Sequence, residues 1–266
     1  MKTVNAGNVS LNVIDTGQGR PLLFVHGFPL DHSMWTAQIE HFSNHYRVIA
    51  PDLPGTRGAG NASGTIAMHE MADDLAAMLD ALGVDEPVVL CGLSMGGYIA
   101  WQFHRKVANR LRALILCDTK AKADTPEAAA GRQKMIEGIG ASGAPLVAEA
   151  MLPKLFASDS YVSMPGKIDF IRQRILAAPP EMLAGLVRGL AARPDVSGDL
   201  GHIDVPTLVV VGEHDAISPP AEMSEIAKAI PGARFETVPG AGHMTPFEKP
   251  DEFNAIVETF LARVDR

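Results

Sequence analysis

Two cysteines in a chain of 266 residues cannot build a disulfide framework. Cys91 and Cys117 each close a strand-like apolar run, Val88-Val89-Leu90 and Leu114-Ile115-Leu116, so they read as buried core thiols and not as a disulfide or a reactive pair. Long hydrophobic runs are missing too. No apolar stretch reaches the roughly 18 residues that a membrane span needs, and Met1-Lys2-Thr3-Val4-Asn5 lacks the hydrophobic core of a secretion signal. The expected compartment is the cytoplasm, with no membrane partner. Basic charge is scarce: 23 Lys and Arg against 31 Asp and Glu give a formal net charge of -8, and no basic cluster rises above that background. Nucleic acid is therefore excluded as an expected partner, and polyanionic substrates are disfavoured. With no Cys-x-x-Cys spacing and scattered histidines, neither a metal nor a cofactor is expected. Internal repeats and low-complexity tracts are absent as well.

What the chain does have is a strongly marked corner. Cys91-Gly92-Leu93-Ser94-Met95-Gly96-Gly97 follows Pro87-Val88-Val89-Leu90, a buried-strand run, and precedes Tyr98-Ile99-Ala100-Trp101-Gln102-Phe103, which has helical spacing. Gly-x-Ser-x-Gly between a strand and a helix is a nucleophile elbow. The tight turn forces the serine into a strained backbone, side chains at Gly92 and Gly96 would strike neighbouring backbone, and the Ser94 hydroxyl is lifted clear of the sheet. The pentapeptide alone would suit any loop that needs small residues. The strand before it, the helix after it and Gly97, which lets that helix approach the sheet, favour catalysis.

With these residues the chain resembles the α/β-hydrolase superfamily, and Gly-Leu-Ser-Met-Gly-Gly resembles its small serine esterase and 3-oxoadipate enol-lactonase-like branches. The likeness runs from about Asn12 to Leu261 and is weakest in the middle. It implies an α/β-hydrolase fold: a mostly parallel sheet flanked by helices, with a helical cap inserted before the strand that precedes the catalytic acid.

Along the chain, Val9 to Asp15 alternates apolar and polar residues, and Thr16-Gly17-Gln18-Gly19 supplies a turn before Pro21 to Val25. An antiparallel hairpin leading into a fully buried strand is expected. His26-Gly27-Phe28-Pro29 then follows, and the resemblance places one oxyanion-hole amide in this loop and the other just after the nucleophile, which on this sequence are the backbone N–H groups of Phe28 and Met95. Two preorganised donors stabilise the charge that acyl transfer puts on a carbonyl oxygen, each at about 3 to 4 kcal/mol of barrier. His26, beside the loop glycine, reads as a residue that hydrogen-bonds the loop backbone.

Helical spacing from Ser33 to His45, a strand at Val48 to Ala50, a helix capped by Thr65 over Ile66 to Leu82, and a strand from Leu111 to Cys117 complete the first half. After Asp52-Leu53-Pro54-Gly55 the resembled family continues Gly-x-Gly-x-Ser, whereas this chain has Thr56-Arg57-Gly58-Ala59-Gly60; Arg57 either reaches the pocket mouth or points into solvent, and the second reading is preferred. From residue 120 to residue 199 the sequence turns helical and alanine-rich. We expect a core of residues 1–119 and 200–266 with a cap of residues 120–199. Thr125-Pro126-Glu127 opens one cap helix, and others fall near Ala144 to Leu152, Lys167 to Leu176 and Pro180 to Ala192. Strands at Pro206 to Gly212 and Arg234 to Val238 flank a helix from Pro220 to Ile230, and Phe247 to Phe253 opens the last helix.

Ser94, Asp215 and His243 each stand just past an expected strand, hence on one edge of a parallel sheet, in the chain order Ser, Asp, His that the resembled fold uses. Serine needs an imidazole to take its proton, and the imidazole needs a carboxylate to fix its tautomer. Alone, Asp215 would read as a loop acid capping a helix and His243 as a packing histidine; together they read as a triad. Asp118 also follows a strand and is the rival acid. His214 is expected to turn away, and His69, His104 and His202 to be surface or packing residues.

Serine at the elbow departs from the dehalogenase and epoxide hydrolase branches, which carry aspartate there. The expected activity is cleavage of small, mostly neutral carboxylic esters, or lactones, through an acyl-enzyme on Ser94. The same triad would serve a cofactor-free haloperoxidase or perhydrolase, or a carbon–carbon bond hydrolase, and the fold could also serve a ligand sensor. Apolar positions in the cap, Met135 and Ile139, Met151 and Leu152, and Ile168, Ile171 and Ile175, are candidates for a wall over Ser94, although packing among the helices must account for most of them.

Overall fold

Runs buried on both faces form the centre of the molecule. The computed structural model describes residues 1–54 and 64–266, and its strands are β1 (Lys2–Ala6), β2 (Val9–Thr16), β3 (Pro21–Val25), β4 (Arg47–Pro51), β5 (Val88–Leu93), β6 (Leu111–Cys117), β7 (Thr207–Gly212) and β8 (Arg234–Val238). Every residue of β3, β5 and β7 is buried, and β6 is buried except at Arg112. Such continuous apolar runs, without alternation, are what a parallel sheet covered on both faces requires.

The eight strands form one sheet in the order β1-β2-β4-β3-β5-β6-β7-β8. From β4 to β8 neighbours run parallel, while β2 is antiparallel to β1 and to β4. This corrects the expected hairpin: the turn after Thr16 does connect β2 to β3, but β4 lies between them, and β2 forms its hairpin with β1 across Gly7, whose φ is 63°. Turn residues mark where a chain reverses; they do not choose its partner.

The helices are α1 (Thr36–Phe42), α2 (Met68–Ala81), α3 (Met95–Val107), α4 (Pro126–Ser142), α5 (Ala144–Leu155), α6 (Ser160–Ser163), α7 (Pro165–Leu176), α8 (Pro180–Ala191), α9 (Pro220–Ala229), α10 (Thr245–Glu248) and α11 (Pro250–Val264). Pro126, Pro165, Pro180, Pro220 and Pro250 each open a helix, where the missing N–H has no intrahelical acceptor to lose and φ is already set. Thr125 caps α4, its hydroxyl accepting from Ala128 N at 3.3 Å. Thr65 does not cap α2: the helix starts from Ala67, whose N–H donates to Glu70 Oε2 at 3.2 Å. α1 and α11 pack on each other, and the rings of Phe24, Trp35 and Phe253 lock them to β3 at centroid distances of 5.0 and 6.2 Å. α2 and α3 pack together against β1, β5 and β6.

Helices α4 to α8 all lie between β6 and β7 in the chain and pack on one another, α4 on α8 and α5 on α7. Ile139, Leu152, Ile168, Ile171 and Ile175 are buried in these contacts. Among the described residues no helix is long and apolar enough to cross a membrane. Arg57 and its loop lie outside the described residues. Cys91 and Cys117 are buried free thiols, their Sγ atoms 3.8 Å apart.

Candidate active site

Because β3, β5, β6, β7 and β8 are parallel neighbours, the residues that leave their carboxyl ends gather on one edge. The edge carries Phe28 after β3, Ser94 after β5, Asp118 after β6, Asp215 after β7 and His243 after β8.

Ser94 takes φ 52° and ψ -109°, a region that L-residues adopt only under constraint. The constraint is visible in its neighbours: a side chain on Gly96 would run into the Val25 carbonyl, and one on Gly92 into the Gly96 backbone. Ser94 N donates to Cys117 O at 2.9 Å and Thr119 Oγ1 donates to Ser94 O at 2.8 Å, so the strained turn is held from β6. From residue 88 to residue 103 every residue is buried except Ser94. The hydroxyl is therefore presented from an otherwise closed element.

The loop after β3 lies against the elbow, since a side chain added at Gly27 would come within 3.4 Å of Ser94 Cβ. His26 fixes this loop as expected: its ring is buried, Nδ1–H donates to Gly27 O at 3.0 Å and Nε2 accepts from Leu53 N at 3.0 Å. Burial pushes the His26 imidazole below its ordinary range, which suits the neutral tautomer these bonds define. Asp52 Oδ1 adds a second brace by accepting from His32 N at 3.0 Å, with His32 Nδ1 at 2.6 Å. Met95 opens α3, so its amide is one of the helix's first N–H groups, which have no intrahelical acceptor.

His243 and Asp215 are both buried, with Nδ1 2.8 Å from Asp215 Oδ2. Asp215 accepts further from Ser218 Oγ at 2.7 Å on Oδ2, and from Ile217 N at 2.7 Å and Ser218 N at 3.0 Å on Oδ1. Burial pushes this carboxyl up, but the charge of His243 and the hydrogen bonds from His243 and Ser218 outweigh it, and the group sits below its ordinary value. An imidazole whose Nδ1–H is held by a carboxylate has Nε2 left as the basic atom. Ser218 belongs to this network although the sequence pattern did not single it out; the Asp-x-x-Ser spacing, in which an aspartate accepts from the chain two and three residues on, was the available signal.

Asp118 is brought close to the pair: one ligand atom each from Asp118, Asp215 and His243 lie within 4.8 Å of one another. It does not replace Asp215 at His243 Nδ1. Its Oδ1 accepts from Gly212 N and Thr245 Oγ1, both at 2.9 Å, while its buried Oδ2 has no partner. Burial first, and then the charge of Asp215, push the Asp118 carboxyl well above the carboxylate range. His214 turns out to solvent beside Glu213. One pair departs from the scatter expected of the histidines: His41 and His45 have the four-residue spacing of a helical metal pair, but α1 ends at Phe42 and His41 Nε2 lies 2.8 Å from Glu258 Oε1.

Comparison with known proteins agrees with this architecture. The family model of the alpha/beta hydrolase fold matches residues 20–250. The chain is 27% identical to 3-oxoadipate enol-lactonase 2 of Acinetobacter baylyi, covering 98% of this chain and 96% of that protein. Among solved structures, a thermophilic esterase from Thermogutta terrifontis, with malate bound, is 43% identical and superposes with a TM-score of 0.95 over 99% of this chain and 98% of that one. The enol-lactonase from Burkholderia xenovorans is 27% identical, with a TM-score of 0.91 over 98% of this chain and 100% of that one.

Proposed function

The chain belongs to the alpha/beta hydrolase fold family, and from that premise we propose that it is a carboxylic ester hydrolase whose substrates are small esters or lactones and whose nucleophile is Ser94. The observation that carries the reading is the single opening in a closed element: Ser94 alone is accessible between residues 88 and 103, on the same sheet edge as an imidazole held 2.8 Å from a carboxylate. Its likeness to an esterase and to enol-lactonases supports the substrate class.

In the proposed cycle the Ser94 hydroxyl attacks the ester carbonyl carbon while His243 Nε2 takes its proton. The amides of Phe28 and Met95 receive the oxyanion, and Asp215 stabilises the imidazolium. Collapse of the tetrahedral intermediate expels the alcohol, protonated by His243, and leaves an acyl-enzyme. Water then repeats the sequence, with His243 as base and Ser94 as leaving group, and releases the acid. For a lactone, acid and alcohol leave as one hydroxy acid. We read residues 120–199 as a cap over this edge, whose buried apolar positions chiefly hold its helices together. The formal net charge of -8 and the apolar positions of the cap favour neutral substrates.

The deciding experiment is Ser94→Ala assayed on p-nitrophenyl acetate, with an initial-rate screen of longer p-nitrophenyl esters and of lactones on the native protein. Loss of turnover to background with an unchanged thermal melt is the expected result. Turnover near the native rate in the folded variant would remove Ser94 from the mechanism.

A further inference from the structure

Glu248 stands five residues after His243, at the end of α10, and its side chain is buried. A buried carboxylate is costly unless its oxygens are satisfied, and this one has three donors from two different parts of the chain. Oε2 accepts from Gly242 N at 2.7 Å, in the loop that carries His243. Oε1 accepts from Ala157 N at 2.8 Å, in the connection between α5 and α6, and from Ser160 Oγ at 2.6 Å, at the first residue of α6.

The same two segments meet at other points. Met244 N, on the far side of His243, donates to Leu155 O at 3.0 Å. The Phe156 and Phe247 rings lie 6.3 Å apart. Gly242 has to be glycine for the contact to close, because a Cβ there would sit 2.5 Å from Ala157 N and 2.6 Å from the Phe156 carbonyl carbon. The residues on both sides of His243 are thus fastened to segment 155–160, Met244 directly and Gly242 through Glu248. On its opposite side the loop lies against the end of β7, where His214 N donates to Ala241 O at 2.8 Å. His243 is held between the corner that carries Asp215 and a connection that belongs to the helical insertion.

We propose that Glu248 is a positioning residue for His243: by tying the loop of the base to segment 155–160, it makes the helical insertion part of what sets the turnover rate. The inference rests on the reading of His243 as the base. Its physical content is geometric. A general base must stay within hydrogen-bond reach of the hydroxyl it deprotonates, and the loop 242–244 has few ways to stay there if the carboxylate that gathers Gly242, Ala157 and Ser160 is lost. Truncating the insertion, or remodelling residues 155–160, then alters the rate constant even where it leaves substrate contacts alone.

The test uses the full-length protein and Glu248→Gln, which keeps the shape but turns an amide NH2 toward one of the backbone N–H donors. Steady-state kinetics on p-nitrophenyl acetate should show kcat reduced by about 10²-fold with KM changed by less than about threefold, as for a misplaced catalytic group. Hydrogen exchange at the amides of Gly242 and Met244 should quicken in the same variant. A folded Glu248→Gln protein with native kcat overturns the proposal. If that variant does not fold, Ser160→Ala decides: removing one of the three donors should lower kcat several-fold at unchanged KM, and a native kcat overturns the proposal. Failure of the functional reading is told apart by Ser94→Ala: should that variant keep its turnover, the exchange experiment still judges the tie, and unchanged protection at Gly242 and Met244 in Glu248→Gln overturns it.

Discussion

The ends of β6 and β7 are neighbouring corners built from the same parts, and each carries a buried aspartate, Asp118 and Asp215. Burial pushes both carboxyls up, yet they finish on opposite sides of the ordinary value. The difference lies in the donors. Asp215 has four, two on each oxygen, and one of them is an imidazole N–H. Asp118 has two on a single oxygen, none on the other, and a carboxylate as neighbour. Position past a strand therefore does not decide which aspartate meets the imidazole; the turn that follows does. The segment Asp215-Ala216-Ile217-Ser218 folds back its own N–H groups onto the carboxylate, whereas Asp118, at φ 47°, spends its one satisfied oxygen on β7 and on Thr245.

The largest effect that could break the comparison is in the acid itself. Asp215→Asn is expected to lower kcat by about four orders of magnitude, because an amide favours the wrong imidazole tautomer; a fall of less than tenfold on p-nitrophenyl acetate would hand the role to Asp118. Ser218→Ala should cost about tenfold in kcat, as one hydrogen bond to a charged group is lost. Native kinetics in that variant would mean that the two backbone donors and His243 suffice.

Asp118→Asn should leave kcat within about threefold, since the amide keeps an oxygen for Gly212 and Thr245, and its signature is in stability. The native carboxyl titrates above its unfolded value, so its stabilising contribution is complete below about pH 4 and is lost as pH rises toward the folded value. Across that window the native protein should lose stability relative to Asp118→Asn by about 1.4 kcal/mol per pH unit. Asp215, with its lowered value, has the opposite sign: its contribution is present above the unfolded value and is lost as pH falls through the folded one. Urea melts of both proteins between pH 4 and pH 8 check the slope, and parallel curves would show that Asp118 ionises as freely as an exposed carboxyl.

Much of this was legible before any coordinates. Leu111–Cys117 and Arg234–Val238 are strands over the residues expected of them, and α4 and α8 begin where Thr125-Pro126 and Pro180 place them, whereas α7 starts at Pro165, two residues before the expected Lys167, and α6 was not foreseen. That Ser94, Asp215 and His243 share one edge was readable because each follows a strong strand signal, and parallel strands convert that local fact into a common position. What escaped depends on partners far away in sequence. The pairing of β2 with β4 was invisible because a turn reports reversal, not neighbours. Glu248 reads as an acid just ahead of a proline-opened helix, and nothing local says that it is buried, since two of its donors come from residues 157 and 160.

The register between β3 and β5 has one more consequence. Val25 pairs with Gly92, and Phe28 and Met95 each stand three residues beyond that pair. The two amides assigned to the oxyanion are thus counted off from a common zero, like marks on two rulers clamped side by side. One residue added between Val25 and Phe28 would break that count and leave the Phe28 amide out of step with that of Met95. Between β6 and β7 the chain instead departs for five helices and returns, with Leu114 still beside Thr207. Length is free to change on that excursion and is frozen at the rulers, so divergence in this scaffold has room to reshape the five helices long before it can reshape the spacing of these two amides.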